Sequence, residues 1–161
     1  MSFSSYIERE IWWLGDRPIA GMPRPRVAPP RRHSPSPSID QWDDDLPILW
    51  NKDFRSIVCL TDPRDEGAFV AAGFRFLALP TPDGHAPQEG QMEQFLHFYH
   101  TAPRSIAVHC EGGIGRTGTM LATILMSEGH TADSAIKKVR SFNRSAIETP
   151  QQEEFLRRLK I

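Results

Sequence analysis

Ile106-Ala107-Val108-His109-Cys110-Glu111-Gly112-Gly113-Ile114-Gly115-Arg116-Thr117 is the stretch from which the fold can be read. Its apolar beginning reads as a buried strand. The run that follows, Thr119-Met120-Leu121-Ala122-Thr123-Ile124-Leu125-Met126, reads as a helix. A strand, a glycine-rich turn and a helix start therefore meet at Cys110. Glycines let successive backbone N–H groups converge, and a helix N-terminus adds partial positive charge, so the turn forms an anion cradle. A thiolate in that field is stabilised and is nucleophilic at neutral pH. Arg116 can return over the cradle, and its guanidinium suits bidentate phosphate recognition.

Outward from this stretch, strands and helices alternate. On the N-terminal side, Phe3, Ile7, Ile11, Trp12 and Leu14 have partly helical spacing, ending at Gly15-Asp16, and Trp12 and Trp13 read as packing residues. Pro18 to Met22 reads as a short strand. Residues 23–38 are rich in proline, arginine and serine, which predicts extended chain outside the core. Arg24, Arg26, Arg31 and Arg32 there read as a solvated charge run, with an anionic ligand's path as the alternative. Asp43-Asp44-Asp45 opens a short helix through Trp50, its acids complementing the dipole. Ser56 to Leu60 is a buried strand, Glu66 to Ala72 a helix stopped by Gly73, and Phe74 to Leu79 a strand. A proline-stiffened loop, Pro80 to Pro87, precedes a helix from Gln88 to near Pro103. Gly129 suits a helix C-cap, Thr131 an N-cap, and Thr149-Pro150 with Gln152 a capping box. This alternation predicts an α/β domain with a central, mostly parallel twisted sheet flanked by helices.

Bulk properties narrow the function. The 161 residues suit one domain, residues 1–161, with the irregular segment at about 23–45. A net charge of −1 and a pI near 6.6 predict neither a nucleic-acid partner nor a membrane surface. No apolar run has the length of a membrane span, and the N-terminus lacks a signal-peptide pattern. Two cysteines make no disulfide framework, so a reducing, cytoplasmic setting is expected. A monomer is also expected. Cys59 reads as a small core hydrophobe, or alternatively as a resolving thiol for Cys110.

His-Cys-x-x-Gly-x-x-Arg-Thr at 109–117 resembles the signature of the cysteine-dependent protein phosphatases. Its continuation, Gly118-Thr119-Met120-Leu121-Ala122, resembles the small atypical dual-specificity members. The likeness extends to Ala20-Gly21-Met22-Pro23, to the Asp83 loop and to Ile147-Glu148-Thr149. Rhodanese-like sulfurtransferases share a bare C-x5-R, but not the leading His, the trailing Thr and an upstream acid loop.

The resemblance implies a phosphotyrosine protein phosphatase II-like fold and a metal-free mechanism without cofactor. Cys110 would attack phosphorus and form a phosphocysteine. Arg116 and the amides of Glu111, Gly112, Gly113, Ile114 and Gly115 would hold the equatorial oxygens. Asp83 would be the general acid and then the base, Thr117 would assist the leaving thiolate, and His109 would orient the loop. His85 is a backup acid. Gln151, Gln152 or Glu148 would place the hydrolytic water, with capping as Gln152's other role. Asp83 has the alternative of a plain turn residue before Gly84. Glu111 and Ile114 disfavour polyanionic substrates. The expected substrate is therefore a phosphorylated protein, phosphotyrosine first and phosphoserine or phosphothreonine second. The alternatives are a small metabolite, nucleotide or RNA 5′-phosphate, and a phosphoresidue-binding module without turnover.

Overall fold

The computed structural model describes residues 5–28 and 44–161. Expectations that fall on Phe3, Arg31, Arg32 and Asp43, and on most of the proline-rich segment, lie outside the described residues. Its described part, 23–28, forms neither helix nor strand.

The sheet is built around β5 (Ile106–His109), every residue of which is buried. A strand covered on both faces needs apolar side chains in both directions, and Ile106-Ala107-Val108 supplies them. Parallel to it on one side runs β2 (Ile19–Met22), and on the other β3 (Ser56–Cys59). Beyond β3 lies β4 (Arg75–Ala78), also parallel, and β1 (Trp12–Trp13) closes the other edge antiparallel to β2. The order is β1-β2-β5-β3-β4. The mostly parallel α/β sheet expected from the alternation is present.

The N-terminal segment differs from its apolar spacing. α1 (Tyr6–Glu10) is capped by Ser5 and Glu8 but stops at Ile11, whose backbone is extended. Trp12 and Trp13 then pair with Gly21 and Ala20. Aromatic residues fit a pleated edge, and that pairing overrides the helical spacing.

The two sheet faces carry two cores. Ile19, Val58, Ile106 and Val108 face α4 (Glu89–Thr101), α5 (Gly115–Ser127), α6 (Ala132–Phe142) and α7 (Pro150–Arg158). Ala20, Ile57 and Ala107 face Ile7 of α1, Leu46 and Leu49 of α2 (Leu46–Asn51), and Phe69 of α3 (Glu66–Ala71). Asp44 caps α2 through the Leu46 N–H, whereas Asp45 instead accepts from the Arg26 N–H at 2.7 Å. The expected caps at Thr131 and Thr149 are both formed.

α5 is the buried axis of its layer. Every residue from Gly115 to Leu125 is buried, so the helix is covered all round, with Arg116, Thr117, Thr119 and Thr123 among its buried polar residues. Two of its threonine hydroxyls are satisfied within the helix: Thr119 donates to Gly115 O at 2.7 Å and Thr123 to Met120 O at 2.6 Å. The helix starts four residues earlier than Thr119, at the cradle itself, which puts its first turn directly after β5 and the glycine turn.

Candidate active site

β5 ends at His109 and α5 begins at Gly115, so residues 110–114 make the turn between them. Gly113 has φ +74°, a left-handed conformation, and a Cβ there would overlap the backbone of Met22. Both facts demand glycine. The turn closes around one sulfur. Cys110 Sγ accepts from Gly113 N–H at 3.2 Å and from Thr117 Oγ1 at 3.2 Å. The cysteine is buried to 3% exposure.

Arg116 folds back as expected, and 6% of it is exposed. One terminal nitrogen donates to Thr81 O at 2.8 Å, and the other lies 3.5 Å from Asp83 Oδ1. Its Nε is buried with no hydrogen-bond partner. A buried guanidinium N–H without an acceptor is costly. This N–H is a donor that an oxyanion would satisfy.

His109 is buried, with Nδ1 3.3 Å from Cys110 O. Burial, with the Arg24 and Arg116 charges adding to it and the Cys110 carbonyl opposing it, lowers its pKa to about 4. It is neutral at neutral pH. Since a carbonyl only accepts, the proton sits on Nδ1.

The acid loop meets the cradle. Asp83 stands at the mouth, its side chain 90% exposed, in front of Arg116. Four carbonyls pin the loop: Pro80 O accepts from Gln91 Nε2 at 2.9 Å, Thr81 O from Arg116, Gly84 O from Thr149 Oγ1 at 2.8 Å, and His85 O from Gln152 Nε2 at 3.2 Å. Gln152, 1% exposed, also accepts through Oε1 from the N–H groups of Glu148 and Thr149. Its carboxamide is thus engaged in capping α7 and holding the loop. Gln151 is exposed and lines a separate cleft with Glu89, Pro150 and Phe155, away from the cradle. Glu148 is brought in: its side chain lies over Gly115, on the space a Cβ there would take. Ile147 before it has φ +63°, rare for a branched residue, and is held by Ile114 O and by Arg140.

Glu111 contributes its backbone to the turn but points its carboxylate outward, 3.3 Å from Arg24. Arg24 is committed to the scaffold, donating to Thr61 Oγ1 and Asp62 O and pairing with Asp65. It is therefore not a cation waiting on a ligand's path. A cleft of about 530 Å³ opens over Arg116, and its lining carries the carboxylates of Asp62, Asp83 and Glu111. Cys59 pairs in register with His109, so its side chain projects to the sheet face opposite Cys110. Its thiol lies within hydrogen-bonding reach of Thr61 and Asp62. The resolving-thiol alternative does not fit this placement.

The residues missed in the sequence are Thr81, Thr149 and Trp12, whose indole donates to Gly113 O at 2.9 Å. Thr149 carried a legible cap signal. The other two act through tertiary contacts with no local pattern.

The family model described as Tc-R-P, polymorphic toxin system, DSP-PTPase phosphatase, matches residues 34–130, well over half of the chain. The chain belongs to this family. Among curated relatives of this DSP-PTPase member, the mouse dual specificity protein phosphatase CDC14B is 34% identical over 110 residues, 67% of this chain and 23% of that protein. The tyrosine-protein phosphatase cdc-14 of Caenorhabditis elegans is 33% identical over 98 residues, 60% of this chain and 14% of that protein. The chain thus spans less than a quarter of the length of either. Solved structures share the DSP-PTPase fold across nearly the whole chain. The active form of Tk-PTP superposes with TM-score 0.71 at 24% identity, covering 93% of this chain and 98% of its own. Kinase associated phosphatase, with its catalytic-site cysteine replaced by serine, gives TM-score 0.71 at 18% identity, covering 97% and 94%.

Proposed function

We propose that this chain hydrolyses phosphotyrosine monoesters, and phosphoserine or phosphothreonine more slowly, through a phosphocysteine on Cys110. The observation that carries this is a sulfur holding two hydrogen-bond donors beside a buried Arg116 whose Nε has no acceptor. Family membership and the phosphatases among the curated relatives support the same reading.

Cys110 thiolate attacks phosphorus, the P–O bond to the leaving group breaks, and Asp83 gives that oxygen its proton. Arg116, the turn amides and the α5 N-terminus stabilise the charge on the three equatorial oxygens, so no metal is required. Water then attacks the phosphocysteine and yields its proton to Asp83. The departing thiolate is received by the Thr117 hydroxyl, already 3.2 Å from sulfur. In this reading Glu148, which lies against the first residue of α5, orients that water. The Arg116–Asp83 contact is solvent-exposed on the Asp83 side, so it holds the acid only weakly and leaves it free to meet a substrate.

The carboxylates of Asp62, Asp83 and Glu111 around the cleft repel substrates with several phosphates, which favours a single phosphoryl group on an aryl or alkyl oxygen. A free thiol nucleophile suits a reducing, cytoplasmic setting. No helix among the described residues is long and apolar enough to cross a membrane.

The experiment compares leaving groups in the presence of chelator. Asp83→Asn is expected to lose about 100-fold or more on phenyl phosphate, the scale of general-acid catalysis, and only a few-fold on p-nitrophenyl phosphate, whose phenolate leaves unprotonated. Equal losses on both would make Asp83 a turn residue. A wild-type requirement for divalent metal would overturn the thiolate route.

A further inference from the structure

Trp12 stands on the edge strand, about a hundred residues before the cradle and outside the stretch that the family model matches. Its indole crosses Gly21, its partner in the β1–β2 register. A Cβ on Gly21 would sit 2.6 Å from Trp12 Cε2, 2.7 Å from Trp12 Nε1 and 2.8 Å from Thr117 Cγ2. The missing side chain is therefore what lets the indole and the Thr117 methyl share one space. From there Trp12 Nε1–H reaches Gly113 O at 2.9 Å.

Both donors to the Cys110 sulfur are thus in the indole's reach. Thr117 is packed beside it across Gly21. Gly113, whose N–H donates to sulfur, is held by its carbonyl. In a trans peptide the C=O and the next N–H point opposite ways. Drawing Gly113 O out toward Trp12 therefore turns the Ile114 N–H away from the indole, to the cradle side. Glycine alone fits at 113, so the turn has little side-chain packing to fix its peptide planes.

We propose that Trp12 is a positioning residue for the phosphate cradle, its indole N–H setting the Gly113–Ile114 peptide so that the turn's amides converge on the oxyanion. This rests on the phosphatase reading above. Packing alone, the plain expectation for a tryptophan here, does not account for a donor placed on this particular carbonyl.

The test uses the full chain with Trp12→Phe, which keeps a ring over Gly21 and removes the donor. Gly21→Ala, which pushes the indole and Thr117 apart, is the second variant. Trp13→Phe serves as control, since Trp13 stacks on Phe54 away from the turn. Orthovanadate affinity and kcat on p-nitrophenyl phosphate are each expected to fall about tenfold in Trp12→Phe, the loss of roughly one hydrogen bond. Amide exchange at Gly113 and Ile114 should rise by a similar factor, with exchange elsewhere in α5 unchanged. Trp13→Phe should match wild type. Unchanged vanadate affinity and unchanged exchange at both amides in Trp12→Phe would overturn the proposal, as would a uniform rise in exchange across the fold. If the wild type neither binds vanadate nor turns over, the phosphatase reading falls, and the amide exchange still judges Trp12.

Discussion

His109 is a histidine kept neutral by its surroundings. In the unfolded chain it would take a proton near 6.5, and folded it does so only near about 4. Between those values the unfolded chain holds more protons, so folding stability is fully present above pH 6.5 and is lost as pH falls toward 4. The loss from this one buried group is on the order of 3 kcal/mol. His109→Asn removes the group and should flatten that part of the profile. Urea midpoints at pH 7 and pH 4.5 check this: the wild type should drop more than the variant. Equal drops would mean that His109 is not buried as a neutral base. The imidazole meets the turn through its Nδ1, 3.3 Å from Cys110 O.

At the scale of elements, the acid loop and α7 form one unit. Thr149 and Gln152 cap the helix and hold the carbonyls of Gly84 and His85 as they do so. Gln152→Leu would remove three part-buried hydrogen bonds, to the N–H groups of Glu148 and Thr149 and to the His85 carbonyl. A cost of about 1–3 kcal/mol in stability is expected, since each lost hydrogen bond contributes on the order of 1 kcal/mol. The same variant should lose activity on phenyl phosphate more than on p-nitrophenyl phosphate, since a displaced loop carries Asp83 with it. A variant of unchanged thermal stability that fails only at hydrolysis of the intermediate would restore Gln152 to water placement. The capping box at 149–152 was legible, as were most strands and helices, because periodicity and caps are local signals. The link from that cap to His85 was not legible: a glutamine's second partner depends on how two distant loops dock. For the same reason the stop of α1 at Glu10 is not legible, since β1 exists only by pairing with Ala20 and Gly21 of β2.

Across the whole molecule, the parallel sheet sorts its side chains by parity. Val108 and Cys110 share the face of α5, whereas His109 and Cys59 share the other. A free cysteine in a strand could be read as a redox partner from sequence alone, and only the register separates the two thiols. The signature at 109–117 announced Cys110, Arg116 and Thr117 because strand, turn and helix start are contiguous there. The bracing by Trp12 and Thr81 comes from strands and loops brought in by the fold, beyond the reach of spacing. On the proposed reading, all of these parts converge on one event, the transfer of a phosphoryl group to the Cys110 sulfur. The most direct measurement is rapid acid quench of the chain with a 32P-labelled phosphotyrosine peptide, followed by peptide mapping. Label should appear on the peptide containing Cys110 within the first turnover and be absent from Cys110→Ser. Turnover in Cys110→Ser, or release of labelled phosphate from the wild type with no labelled Cys110 peptide at any time, would contradict the account.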